Sequence, residues 1–105
     1  MNKLTGIEFK VVGVSFDNDN GINRQVLLAT LKKTDGIQLV REPRNLFDTN
    51  AVKVMSGEMQ LGYVGKQYVT ILAPMIDQGR KFMATISELD KYKGTYYCKI
   101  KVDEE

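Results

Sequence analysis

Ile37-Gln38-Leu39-Val40-Arg41, Glu42-Pro43-Arg44-Asn45-Leu46-Phe47-Asp48-Thr49-Asn50, and Ala51-Val52-Lys53-Val54-Met55-Ser56-Gly57-Glu58-Met59-Gln60-Leu61-Gly62-Tyr63-Val64 run consecutively near the middle of the chain. The first and third segments are rich in β-branched residues. Ser56-Gly57-Glu58 reads as a hairpin turn between two strands, Ala51–Met55 and Met59–Val64. In the first of these, Val52 and Val54 share one face and Lys53 takes the other. The middle segment is a loop. Pro43 fixes its own φ, and Asn45 readily bonds backbone groups of a turn. An apolar pair, Leu46-Phe47, in such a loop must either tuck back into the core or face a ligand.

Working outward, Ile7 to Phe16 reads as a strand, with Gly13 at a bulge or close approach. Asp17-Asn18-Asp19-Asn20-Gly21 is a loop by composition. A helix is expected from Asn23 to Lys33, capped by Asn20 or Asn23, with Ile22, Val26, Ala29 and Leu31 among its apolar positions and Gly36 as its stop. A second helix carries Tyr68, Val69, Leu72, Ala73 and Ile76; Pro74 should kink or split it, and Gly79 closes it. Lys81–Leu89 and Thr95–Val102 are the last two strands, joined at Tyr92-Lys93-Gly94. Asp103-Glu104-Glu105 reads as a solvated acidic end.

The expected fold is mainly β (α+β): a small antiparallel OB-like β-barrel of about six strands with two helices. Closure would remove exposed sheet edges. One open sheet with both helices on one face is the competing architecture. The 105 residues, 43% apolar and 27% charged, suit one domain over residues 1–105 with a core at about 7–102. Net charge is +2 and the pI is 8.7, below the strongly basic balance of many nucleic-acid-binding domains.

The chain has no histidine and a single cysteine, Cys98. Histidine-based acid–base chemistry, the Ser-His-Asp and Cys-His nucleophile systems and an internal disulfide are therefore excluded. Cys98 alternates with apolar residues and should be buried and inert. No nucleophile–base set or paired-carboxylate motif is evident, so no catalytic residue, metal ligand or cofactor is expected. No apolar run is long enough to span a membrane, and the polar N-terminus does not resemble a signal peptide. A cytoplasmic location is the expectation.

The remaining residues admit two readings, one of them a nucleic-acid strand as partner. Phe47 would stack on a base, and Arg41, Arg44 and Lys53 would neutralise phosphates. Asp48 repels phosphate and helps only where the strand offers a donor, such as a terminal or ribose hydroxyl. The plain structural alternative is that Asp48 caps a turn and Phe47 is a core residue. Phe16 sits either at a barrel mouth or on the core rim. Gly62-Tyr63-Val64-Gly65-Lys66 enters a helix and resembles an anion site, without P-loop spacing. The last strand places Tyr97, Lys99 and Lys101 on one face and Tyr96 with Cys98 on the other.

Four blocks together resemble the HIRAN domain: Val11-Val12-Gly13-Val14-Ser15-Phe16, Leu39 to Val54, Leu61-Gly62-Tyr63-Val64, and Ala73-Pro74-Met75-Ile76-Asp77-Gln78-Gly79. Their order and spacing span residues 7 to 102. The family is met fused to helicase motors and alone in bacteria and phages. The resemblance implies an OB-like barrel that captures single-stranded DNA at a free 3′-hydroxyl end, with a helicase or other repair protein as a partner and no membrane. It implies that Phe47 stacks on the terminal base, that Asp48 contacts the 3′-hydroxyl, and that Asn45 belongs to the same block. It matches Phe16 and Tyr96 to family aromatics and Lys66 to a phosphate-holding cation. The family's Pro and Tyr are Leu46 and Phe47 here, and a basic residue before the first-strand aromatic is Ser15. The candidate set is Phe16, Arg44, Asn45, Phe47, Asp48, Tyr63, Lys66 and Tyr96. A one-residue slip in register would exchange Tyr96 for Tyr97. A protein-interaction module on the same barrel is the alternative function.

Overall fold

The computed structural model describes residues 3–105. In chain order its elements are β1 (Ile7–Lys10), α1 (Arg24–Thr30), β2 (Gln38–Arg41), β3 (Val52–Ser56), β4 (Met59–Tyr63), α2 (Lys66–Asp77), β5 (Phe82–Tyr92) and β6 (Thr95–Glu104). All strand pairs are antiparallel. They form two three-stranded sheets, β1-β6-β5 and β2-β3-β4. Alternation sets the core: Val52 and Val54 of β3, Leu61 of β4, and Cys98, Ile100 and Val102 of β6 are fully buried against Leu72 and Ala73 of α2.

Two single bridges join the sheets, Val12 to Tyr63 and Ile37 to Ala84. Followed round, the neighbours read β1-β4-β3-β2-β5-β6 and return to β1. The expected mainly β architecture therefore stands, but the barrel is not closed, because two seams of this ring are single bridges. The first seam is tight. The Val11 N–H bonds Cys98 O at 3.0 Å in one sheet, while Val12 and Tyr63 exchange backbone bonds of 3.0 and 2.9 Å in the other. The chain thus changes sheets between adjacent residues. Only glycine fits at position 62: a β-carbon there would lie 2.3 Å from Val12 O and 2.7 Å from Val11 Cγ1.

Several expectations are corrected. The first strand ends at Lys10 rather than Phe16, because Val11 and Val12 serve different sheets and Gly13 takes φ of +69°. Helix α1 is short and ends at Thr30. Asn23 is its N-cap, its side chain accepting from the Gln25 N–H, and Gly36 lies beyond the following turn, just before β2, not at the stop. Its buried face carries Arg24 and Leu28, while Val26 is 59% exposed. The rotation is fixed by polar contacts: Gln25 bonds Tyr96 through both its backbone groups and also Val14 O. Pro74 does not split α2. It falls near the end of the helix, where one backbone bond is missing, and Gln78, Gly79 and Arg80 N–H groups close the final turn. The C-terminal acids are not merely solvated. Glu104 belongs to β6, pairs Arg80 at 2.6 and 2.7 Å, and accepts the Leu4 N–H at 3.0 Å.

Candidate nucleic-acid interface

The loop between β2 and β3 is braced from within. The Glu42 N–H bonds Ala51 O at 2.9 Å and closes its base. Arg41 forks onto Asp77 of α2 at 2.8 and 3.1 Å, and its third guanidinium nitrogen donates to Thr49 O and Ala51 O at 3.0 and 2.9 Å. Arg41 is thus a clamp between loop and helix, not a free phosphate ligand as the sequence suggested. Lys53 is likewise engaged, its Nζ lying 3.7 Å from Glu42. Among the described residues Arg44 makes no ion pair and stays exposed.

Asn45 organises the tip. Its Oδ1 accepts the N–H groups of Phe47 and Asp48 at 2.9 and 3.0 Å, and its Nδ2 donates to Glu42 at 2.6 Å. Tyr63 donates its hydroxyl to the same Glu42 oxygen at 2.7 Å. Burial opposes the Glu42 charge, but the Asn45 and Tyr63 hydrogen bonds and the nearby Lys53 outweigh it and hold its carboxyl below the ordinary range. Asp48 Oδ1 accepts the Asn50 N–H at 2.8 Å, so this carboxylate does cap a turn, while its second oxygen makes no hydrogen bond among the described residues. With the loop so tied, Leu46 and Phe47 project outward, 94% and 97% exposed. Phe47 is not a core residue.

Beside this tip lies a cleft of about 230 Å³ lined by Val12, Asn45, Phe47, Asp48, Ala51, Tyr63, Val64 and Lys66. Lys66 is the exposed first residue of α2. Gly65 caps that helix with no side-chain bond, so the positive end of the helix lies next to Lys66, which lines the cleft. Phe16, 69% exposed, stands at the edge: a β-carbon placed on Gly13 would be 3.7 Å from the Phe16 ring and 3.8 Å from the Tyr63 ring.

Arg24, absent from the sequence-derived set, supports this wall. It is only 6% exposed, donates to Asn18 Oδ1 at 2.7 Å and Gly13 O at 2.8 Å, and holds its guanidinium 5.4 Å from the Tyr63 ring centroid. Its position right after the Asn23 cap, with an Asn-rich loop upstream to supply acceptors, was the available signal.

The HIRAN domain family model matches residues 5–104. The chain belongs to the HIRAN domain family. It is 36% identical over 88 residues to the Fanconi-associated nuclease 1 homolog of Arabidopsis thaliana, covering 74% of this chain and 10% of that protein. A putative SWI/SNF-related matrix-associated actin-dependent regulator of chromatin subfamily A member 3-like 1, also from Arabidopsis thaliana, is 43% identical over 42 residues, covering 39% of this chain and 5% of that protein. This HIRAN chain thus spans a tenth or less of those relatives. Among solved structures, a Lactobacillus plantarum protein superposes with TM-score 0.78 at 25% identity, covering 97% of this chain and 92% of that one. The HIRAN domain of human HLTF gives TM-score 0.73 at 17% identity over 97% of this chain and 76% of that chain. HIRAN is a family of binding domains known from DNA-binding contexts.

The fold gathers five members of the candidate set around one cleft, Asn45, Phe47, Asp48, Tyr63 and Lys66, with Phe16 at its edge. Arg44 adjoins the tip in sequence but does not line the cleft. Tyr96 is elsewhere in this HIRAN domain, packed toward α1 beside Leu28 and Leu89 with Lys91 Nζ 4.9 Å from its ring centroid. Tyr97 faces outward under Lys10, 4.6 Å from ring centroid to Nζ, and its hydroxyl donates to Glu88. That short bond to Glu88, together with desolvation, pushes the Tyr97 hydroxyl up to about 12. Neither tyrosine lines the Phe47 cleft. No group of three or more His, Cys, Asp or Glu side chains gathers into a metal-ligand cluster among the described residues.

Proposed function

We propose that this HIRAN domain binds single-stranded DNA at a free 3′-hydroxyl end, without chemistry of its own. The observation that carries the reading is the braced tip. An almost fully exposed aromatic, Phe47, stands beside an Asp48 oxygen that has no hydrogen bond among the described residues, at a cleft that Lys66 also lines. A stacked base is worth about 1–3 kcal/mol and is tolerated whatever its identity. Asp48 accepts a hydrogen bond from the terminal hydroxyl, a donor that a 3′-phosphate lacks in that place and replaces with like charge. Lys66 faces the phosphate that follows, and Arg44 adds a further cation at the tip. Phe16 offers a second stacking surface across the Tyr63 wall. The partner of such a module would be a helicase or other repair protein, in keeping with relatives named as a nuclease and a chromatin regulator.

The test is fluorescence anisotropy with 5′-labelled oligonucleotides ending in a 3′-hydroxyl or a 3′-phosphate, at low and moderate salt. Salt-sensitive binding that favours the hydroxyl is expected, and Asp48→Ala should narrow that preference. Equal affinity for both ends in the wild-type chain would reject end recognition. A second reading, a protein-interaction module, draws on the adjacent exposed Leu46 and Phe47. It predicts weak, salt-insensitive contact with any oligonucleotide.

A further inference from the structure

A second groove, of about 350 Å³, opens on the far side of Val12 and Lys66, which it shares with the Phe47 cleft. Its floor is aromatic: Phe9 is buried and stacks on half-buried Tyr68 with ring centroids 4.9 Å apart. Its rim carries Lys10, Lys66 and Gln67, and no carboxylate lines it. Lys10 makes no ion pair among the described residues. Its Nζ rests over the Tyr97 ring, and in the strand register it stands opposite Lys99. The wall of one cleft is therefore the wall of the next, and the two cations on the second groove's rim are not neutralised within it.

We propose that this groove carries the single strand onward from its end: an internal phosphodiester lies between Lys66 and Lys10, with its nucleotide against the Phe9–Tyr68 floor. The inference rests on the end-capture reading for its starting point. The occupant is a polyanion with a flat apolar side at each repeat, because the groove offers Lys66 and, on turning from the Tyr97 ring, Lys10 beside an aromatic surface, with a path from the site next to it. Lys10 acquires a role that the loop chemistry does not require. It makes the affinity depend on strand length.

The experiment compares a 5′-labelled thymidine dinucleotide with an oligothymidylate of about six nucleotides, within the range that OB-like folds cover. Both are measured with free and phosphorylated 3′ ends, against wild type, Lys10→Ala and Lys10→Arg, over a salt series. Wild type should bind the longer strand more tightly. Lys10→Ala should weaken the longer strand at least about threefold, leave the dinucleotide unchanged, and lower the log–log salt slope by about 0.7, the share of one phosphate on a single strand. Lys10→Arg should restore the length gain. An unchanged salt slope in Lys10→Ala, or equal weakening of both lengths, overturns the proposal. So does displacement of the longer strand by a polyglutamate peptide of equal charge, which would mark a general acidic-ligand groove. If length dependence through Lys10 persists while the 3′-phosphate binds as well as the hydroxyl, the end-capture reading fails and the groove stands. If the hydroxyl preference persists without length dependence, the groove fails and the end site stands. No binding of any oligonucleotide overturns both.

Discussion

Gly62→Ala tests the seam on which the cleft depends. The added β-carbon would stand 2.3 Å from Val12 O and 2.7 Å from Val11 Cγ1, so backbone as well as side chain must move. Overpacking of this kind costs about 1–3 kcal/mol. The same movement strains the paired Val12–Tyr63 bonds of 3.0 and 2.9 Å, worth about 0.5–1.5 kcal/mol each. Reduced freedom of the unfolded chain returns about 0.4–1 kcal/mol. The net loss is about 3 kcal/mol. At about 4–8 °C per kcal/mol for a domain near this size, the midpoint of thermal unfolding should fall by more than about 10 °C. Gly57→Ala is the control. Gly57 has φ of +60° and nothing within 4 Å of an added β-carbon, so it should lose only the left-handed backbone cost of about 1–2 kcal/mol. Val12 and Tyr63 both line the cleft, so any folded Gly62→Ala should also bind oligonucleotide more weakly than Gly57→Ala does. Calorimetry or circular-dichroism melting reads the first effect and anisotropy the second. A fall below about 4 °C, or one no larger than that of Gly57→Ala, would refute the claim that this seam admits only glycine.

Asn45→Ala removes the acceptor of two loop N–H groups and should cost about 0.5–2 kcal/mol, by analogy with a lost helix cap, while weakening oligonucleotide binding; an unchanged melting curve with unchanged affinity would deny Asn45 its organising role. Glu104, held at about 2 by Arg80 and the Leu4 N–H, has a folded pKa below its ordinary value, so its stabilisation is full above about pH 5 and lost as pH falls toward 2. Glu104→Gln should therefore flatten that part of the acid unfolding profile, and parallel profiles would contradict the pairing. Burial pushes the Cys98 thiol up to about 11, so it should resist a thiol reagent near neutral pH until the chain unfolds; prompt native-state labelling would show the site to be open.

Local rules served well where the pattern was periodic. The β3–β4 hairpin, the alternation of Val52 with Val54, the burial of Cys98 and the stop at Gly79 were all legible because strand period and turn chemistry act over a few residues. The failures share a cause. Ile7–Phe16 looked like one strand, but its residues divide between two sheets at Val11 and Val12, a division set by partners more than 50 residues away. The face of α1 was misread because an arginine occupies a core position once Gly13, Asn18 and Tyr63 surround it. The site was legible as a set of types more than as a set of roles. Arg41 and Lys53 could not be told from free cations until Asp77 and Glu42 were seen beside them.

That division of labour changes how the Arg41–Val54 block should be read. Arg41, Glu42 and Asn45 spend their hydrogen-bonding capacity inside the protein, on a helix end, on a tyrosine and on the turn itself. Among the described residues, the Phe47 ring, one oxygen of Asp48 and the Arg44 guanidinium remain free. A polar block this dense resembles a crowded ligand-contact surface, yet Arg41, Glu42 and Asn45 form a frame that sets where one ring and one oxygen point. Exposed side chains lose conformational entropy on binding, and each mobile one ordered at an interface costs about 0.5–1.5 kcal/mol. A frame that fixes the loop beforehand removes part of that cost from the backbone. Substitutions within the frame should therefore resemble substitutions of the contacting residues in their effect on affinity, while differing in their effect on stability. The Leu46 and Phe47 side chains fall outside the frame, because they project from it, 94% and 97% exposed. The block can vary at its tip without disturbing the brace that presents it.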